Sequence, residues 1–152
     1  MINTMVSCLG SQHQKLNFMT MQLALAAARL AVDPGETDAK QRALEIWDEI
    51  RENLWPHLQI EDEIVFSWAE AHDAIPLVLL DTLKKERQEI HKLVTNLPAS
   101  LCEADSQSQS GDDVGNFGRT LLALARTLDS HIERYDAEVL PSITRALFRS
   151  RT

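Results

Sequence analysis

Aromatic residues make up only 5% of this 152-residue chain, and glycine occurs five times. Sheets draw on aromatic and β-branched side chains, whereas Ala and Leu dominate here, so the composition favours helix over strand. Cysteine is equally scarce. Cys8 and Cys102 form neither a metal-ligand spacing nor a disulfide framework, and both are expected to be reduced, which fits the cytoplasm. Basic residues are outnumbered, 15 Lys and Arg against 23 Asp and Glu, for a formal charge of −8. That balance excludes a nucleic-acid partner, which needs a basic face, and it is compatible with a cation-binding interior. No apolar run approaches the roughly 20 residues of a membrane span. The longest candidate, Leu23 to Val32, is short and contains Arg29. No basic residue precedes the apolar stretch within the first ten residues, so no secretory signal is expected.

What remains is an ordinary globular composition, 44% hydrophobic and 25% charged, long enough for one domain with a real core over 1–152. Helical periodicity marks four segments. In the first, Leu16, Met19, Leu23, Ala26 and Leu30 form an apolar stripe with His13 near its beginning. The capping-box spacing of Ser11 and Gln14 places its start at Ser11, with an earlier start near Asn3 as the alternative. Asp33-Pro34-Gly35 ends it.

The second helix is expected over about Thr37 to Ala71, with Trp47, Ile50, Leu54, His57, Glu61, Ile64 and Trp68 as its inner seam and a kink or break at Pro56. The third is expected from Pro76 to Asn96, with inner positions Leu80, Lys84 or Leu83, Arg87, His91 and Val94. A polar loop follows, at about 98–116. The fourth is expected from about Val114 to Phe148, with Phe117, Leu121, Leu124, Leu128, His131, Tyr135 and Glu138 on one stripe and a bend at Pro141. Four such segments suit an all-α, up-down-up-down antiparallel four-helix bundle.

Polar residues interrupt these seams at specific places. His57 and Glu61 stand at i and i+4, so both point the same way from one helix. The outline returns at His131 and Asp136, and His13 and His91 lie on the other two segments. A buried carboxylate without a partner costs several kcal/mol or neutralises itself, so a seam that accepts Glu61 and several histidines asks for a cation. Imidazole and carboxylate without thiolate suit iron, manganese or zinc.

A histidine on the first helix, His-x-x-x-Glu on the second, a histidine on the third and His-x-x-x-x-Asp on the fourth resemble the hemerythrin-like HHE cation-binding family over nearly the whole chain. The resemblance implies a four-helix bundle around two non-haem irons. Its ligands would be His13, His57, Glu61, His91, His131 and Asp136, with Glu61 and Asp136 bridging. It implies a small-molecule partner: dioxygen, hydrogen peroxide or nitric oxide.

Two positions depart from that pattern. Arg87 stands where the third helix usually supplies another histidine, and arginine cannot ligate. Asp136 follows His131 at i+5, about 140° round a regular helix, so either a local bulge returns it to the site or Tyr135 takes its place; Glu138 is a further candidate. An open iron position beside Arg87 would favour catalase-like or nitric-oxide chemistry over reversible oxygen carriage. The rivals are an iron- or oxygen-sensing module without turnover and a structural bundle with a decayed site. Leu25, Ala28 and Ala31 suggest a homodimer contact. His72, Glu133, Arg134 and the run from Lys84 to Glu89 read as surface, with Arg87 the uncertain member of that run.

Overall fold

The computed structural model describes the backbone of residues 2–97 and 111–149, without the side chains of residues 2–9, 54, 55, 57–59, 61, 62, 111 and 112. The described residues are all helical, with no strand, and form four rods. The first, α1, spans Ile2–Val32. The second, α2, spans Thr37–Ile60, widens into a π segment at Glu61–Phe66 and ends as Ser67–Ala71. The third, α3, spans Leu77–Thr95. The fourth, α4, spans Gly111–Arg134, widens at Tyr135–Val139 and ends as Leu140–Arg149. No described helix is long and apolar enough to cross a membrane.

Local chemistry accounts for most of the ends. Pro76, with φ −61° and ψ 144°, sets the entry to α3, where its missing N–H is no loss. Asn96 closes α3, and its N–H donates to the Lys92 and Val94 carbonyls. Asp73 turns the chain after α2 with φ 46°, a left-handed conformation that aspartate tolerates better than most residues.

Three boundaries differ from expectation. Helix α1 begins by Ile2, close to the alternative start near Asn3, so Ser11 and Gln14 sit inside it and do not cap it. Helix α2 runs through Pro56 without a break, and its irregularity falls instead at Glu61–Phe66. Helix α4 begins at Gly111, inside the expected loop, because Val114 and Phe117 are buried against the core and hold its first turns in register.

Gly118 shows how closely these rods meet. A Cβ built there would lie 2.8 Å from the Ala31 backbone nitrogen and 3.1 Å from the Ala27 carbonyl oxygen. Neither atom can move without shifting α1. At Gly115, one turn earlier, an added Cβ would meet Pro34 Cγ at 3.5 Å and the end of the flexible Arg119 side chain at 3.6 Å, both ordinary contacts. Replacing a helical glycine with alanine gains up to about 1 kcal/mol of propensity, whereas forcing a methyl into a packed contact costs about 1–3 kcal/mol. Gly115→Ala is therefore expected to raise the denaturation midpoint and Gly118→Ala to lower it. Equilibrium urea unfolding of the pair checks this, and a stabilised Gly118→Ala would contradict the contact.

The interior divides into two apolar clusters. One runs along α1, α2, α3 and α4 and includes Leu16, Leu23, Trp47, Ile50, Ile90, Leu121, Leu124, Leu128 and Ile132. The other includes Val65, Phe66, Leu80, Leu83, Tyr135, Val139 and Ile143. The stripe expected on α1 is buried throughout. On α3 the inner positions are Leu80, Leu83 and Ile90. Lys84 and His91, both on the expected seam, are exposed, and the observed seam lies one step round the helix from them.

Candidate metal centre

Between the two clusters lies a polar layer. On α4 it falls around His131, where the first cluster ends at Ile132 and the second begins at Tyr135, and on α3 between Ile90 and Leu83. His131 occupies this level on α4, and Glu86 and Arg87 occupy it on α3. On α1 the layer is reached at His13, just before Leu16. The gap on α2 lies between Ile50 and Val65, and His57 and Glu61 belong to that interval of the sequence. Their side chains lie outside the described residues.

His13 and His131 are each only 1% exposed, and both Nε2 atoms are sealed from solvent. Each ring is held through its other nitrogen. His13 Nδ1 donates to Asp136 Oδ1 at 2.6 Å, and His131 Nδ1 donates to Glu86 Oε1 at 3.2 Å. A neutral imidazole that donates from Nδ1 carries its lone pair on Nε2, the form in which a histidine binds a metal. Two rings on two rods are thus each oriented by a carboxylate through Nδ1, an arrangement that recurs behind metal-bound histidines.

Tyr135 stands between them. It is fully buried, its ring lies edge-on to His13 at 4.9 Å and tilted to His131 at 6.3 Å, and its hydroxyl is sealed from solvent. Phe66 lies 6.4 Å away on the α2 side.

The spacing of His131 and Asp136 resolves through backbone geometry. The π segment Tyr135–Val139 adds a residue to its turn, and the Leu140 N–H reaches back five residues to the Tyr135 carbonyl. This widening brings Asp136 round to His13, as a local bulge would. Pro141 lies just beyond and has no N–H to continue the regular ladder, which accounts for the irregularity here. The other π segment, Glu61–Phe66, begins at Glu61 of the His57–Glu61 motif. Both motif stretches thus coincide with widened helix, a feature frequent at functional sites. Asp136 is 43% exposed at its side chain and sits in a groove between α1 and α4 lined by Asn17, Met21, Asp129, Glu133 and Ala137.

Glu86 was not legible as a site residue. Inside a run of charges it reads as solvated surface, yet its side chain is only 16% exposed and holds both His131 and Arg134. Arg134 Nε donates to Glu86 Oε2 at 3.2 Å, and Arg134 also pairs with Glu138 at 3.6 Å. Burial pushes the Glu86 carboxyl up, but the hydrogen bonds and charges of His131 and Arg134 outweigh it, and the carboxyl stays below its ordinary value of 4.5. The charge on Glu86 is thus secured where it can anchor the ring. The signal for it was the 3.6-residue period itself: with Leu83 and Ile90 inside, position 86 or 87 must also face in.

His91 is exposed, and its carbonyl accepts a hydrogen bond from Thr95. Arg87 is half-buried with its Nε sealed from solvent. Glu138 is half exposed on the outer side. His72 lies on the surface, stacked on Trp68 and bonded to its carbonyl, as expected of a turn residue. Among the described residues no three His, Cys, Asp or Glu converge closely enough to hold an ion. The described donors fit a cation in their chemistry: two imidazoles with Nε2 inside the core, a carboxylate on each ring, and no thiolate.

Comparison with curated proteins and with solved structures gives no match. A family model described as the hemerythrin HHE cation binding domain matches residues 4–143. That span takes in the polar layer from His13 to Asp136, and the chain belongs to the hemerythrin HHE cation-binding domain family.

Proposed function

We propose that the polar layer holds a pair of non-haem irons inside an up-down-up-down four-helix bundle, and that the protein binds or turns over a small oxidant there: dioxygen, hydrogen peroxide or nitric oxide. The observation that carries this reading is the matched pair of carboxylate-held histidines, His13 with Asp136 and His131 with Glu86. Both keep a ring nitrogen, Nε2, inside the core, where it would face a bound metal. His13 and His131 would hold the metal from α1 and α4, with His57 and Glu61 joining from α2. Asp136 would either remain on His13 or move to the metal. His91, exposed in this structure, is given no ligand role.

When bound, such iron supplies a redox centre and an electrophile. The chain supplies the rest. Phe66, Leu83, Ile90 and Leu128 border the layer from both clusters with apolar surface, which would strengthen charge interactions inside. Glu86 and Asp136 orient the two rings through Nδ1. Arg87 brings a permanent positive charge to the same level of α3, suited to an anionic oxidant.

Metal analysis of protein purified without added metal tests the reading. About two irons per chain, with charge-transfer absorption in the near-ultraviolet, are expected for the native protein. His13→Ala and His131→Ala are each expected to lose most of that iron while their far-ultraviolet circular dichroism remains helical. A native protein that takes up no metal even after anaerobic ferrous loading would end the proposal.

A further inference from the structure

The outer side of α1 carries a second apolar stripe. Phe18, Met21, Leu25 and Val32 are 63%, 57%, 60% and 87% exposed, respectively. With Ala28 they stand at alternating steps of three and four, the spacing of a helix-pairing seam. The stripe is about 21 Å long at 1.5 Å per residue. It is distinct from the buried stripe of Leu16, Leu23 and Leu30, which faces the core.

The charges beside it point to one occupant. Lys15 marks one end of the stripe and Asp33 the other, both exposed. Helix α4 runs antiparallel to α1, with Gly118 against Ala27 and Ala31 and Asp136 against His13. Its exposed charged residues on the way are Arg119 and Arg126, then Asp129 and Glu133. Asp129 and Glu133 share a groove with Met21, which places them on the stripe's flank. The face is thus polarised along its length, basic on α4 towards Gly118 and acidic towards Asp136. A second copy rotated by a two-fold axis near Leu25 sets each acidic half of α4 against the basic half of its partner. It also sets Phe18 opposite Val32 and Lys15 opposite the Asp33 end. A parallel arrangement offers no such match between the α4 flanks.

We infer that this face pairs with a second copy of the chain, α1 antiparallel to α1. The four apolar side chains expose on the order of 400 Å², about half of what a standard interface buries per partner, and the charged α4 flank would have to supply the remainder. An isologous contact of this kind closes as a dimer and does not propagate. Because Met21 lines the groove that reaches Asp136, the second copy would also narrow the approach to the polar layer.

Sedimentation of the full chain across about 1–100 µM tests the pairing. A dimer is expected for the native protein, and Leu25→Glu and Phe18→Ser are each expected to weaken it by about 100-fold or more. Circular dichroism should be unchanged, because both side chains are mostly exposed. Direction is read by cross-linking in a Cys8→Ser, Cys102→Ser background. Phe18→Cys and Val32→Cys should form a disulfide when mixed and little when alone. A native protein that stays monomeric at the highest concentration, a Leu25→Glu protein that stays dimeric, or cross-links formed by each variant alone would overturn the inference. Metal content does not enter these measurements, so they stand apart from the iron proposal.

Discussion

Tyr135→Ala is expected to remove about 3–5 kcal/mol of stability, the range for emptying a fully buried aromatic site. A domain of this size has only about 5–15 kcal/mol in total. At roughly 2–4 °C per kcal/mol the midpoint of thermal unfolding should fall by about 6–20 °C. The reason is position as much as volume. Tyr135 is the single tyrosine of the chain, has no exposed surface, and joins the second apolar cluster to both histidines. Its removal leaves a cavity beside two polar rings, into which water can follow.

Tyr135→Phe separates the ring from the hydroxyl. The phenylalanine keeps the edge-on contact with His13 and the packing on Phe66, so its midpoint should stay within a few degrees of the native value. Differential scanning calorimetry of the two variants checks the contrast. If both fall equally, the hydroxyl rather than the ring holds the layer together. If the iron proposal is right, the alanine variant should also lose metal, because nothing then keeps His13 and His131 at their separation.

The pattern of large side chains made much of this architecture legible. The core stripes of α1 and α4 follow the helical period closely, and nearly every apolar position assigned to them is buried. His13 and His131 were legible for the same reason, since each continues a stripe of Leu and Phe. Asp136 was legible as a candidate and unplaced in space, because i+5 in a regular helix points elsewhere. The sequence contains the cause, Pro141, but the π segment is a cooperative backbone response that no local preference scale reports.

Helix α3 was harder. Its centre is a run of Lys, Glu, Arg and Gln in which two frames one residue apart both start at Leu80, one passing through Leu83 and Ile90 and the other through Lys84 and His91 to Val94. The frame through Leu83 and Ile90 buries more apolar surface, and it prevails. That single step carries His91 to the surface and brings Glu86 inside. Gly118 was invisible for another reason: a glycine required by a neighbouring helix looks in the sequence like a glycine in a loop.

Glu86→Gln is expected to weaken metal binding by about 10–100-fold, the usual consequence of losing a carboxylate behind a metal-bound histidine. The amide keeps nearly the same shape, so the helices should stay packed. What changes is the charge that holds the His131 Nδ1–H and the Arg134 guanidinium together. Competition with a chromophoric chelator measures the affinity, and unchanged affinity would show that His131 needs no anchor. The metal-free protein offers an independent reading through pH. The Glu86 carboxyl is held below its ordinary value of 4.5 in the folded chain. A depressed carboxylate binds its proton more weakly folded than unfolded, so the stability it contributes is complete above that ordinary value and fades as pH falls through it toward the folded one. The native protein should therefore be more stable than Glu86→Gln near neutrality, and the gap should close below about pH 4.5. Urea titrations of both proteins at several pH values would show it. A gap that persists unchanged into acid would mean that the amide costs stability through packing, and that the charge of Glu86 is not what holds His131 in place.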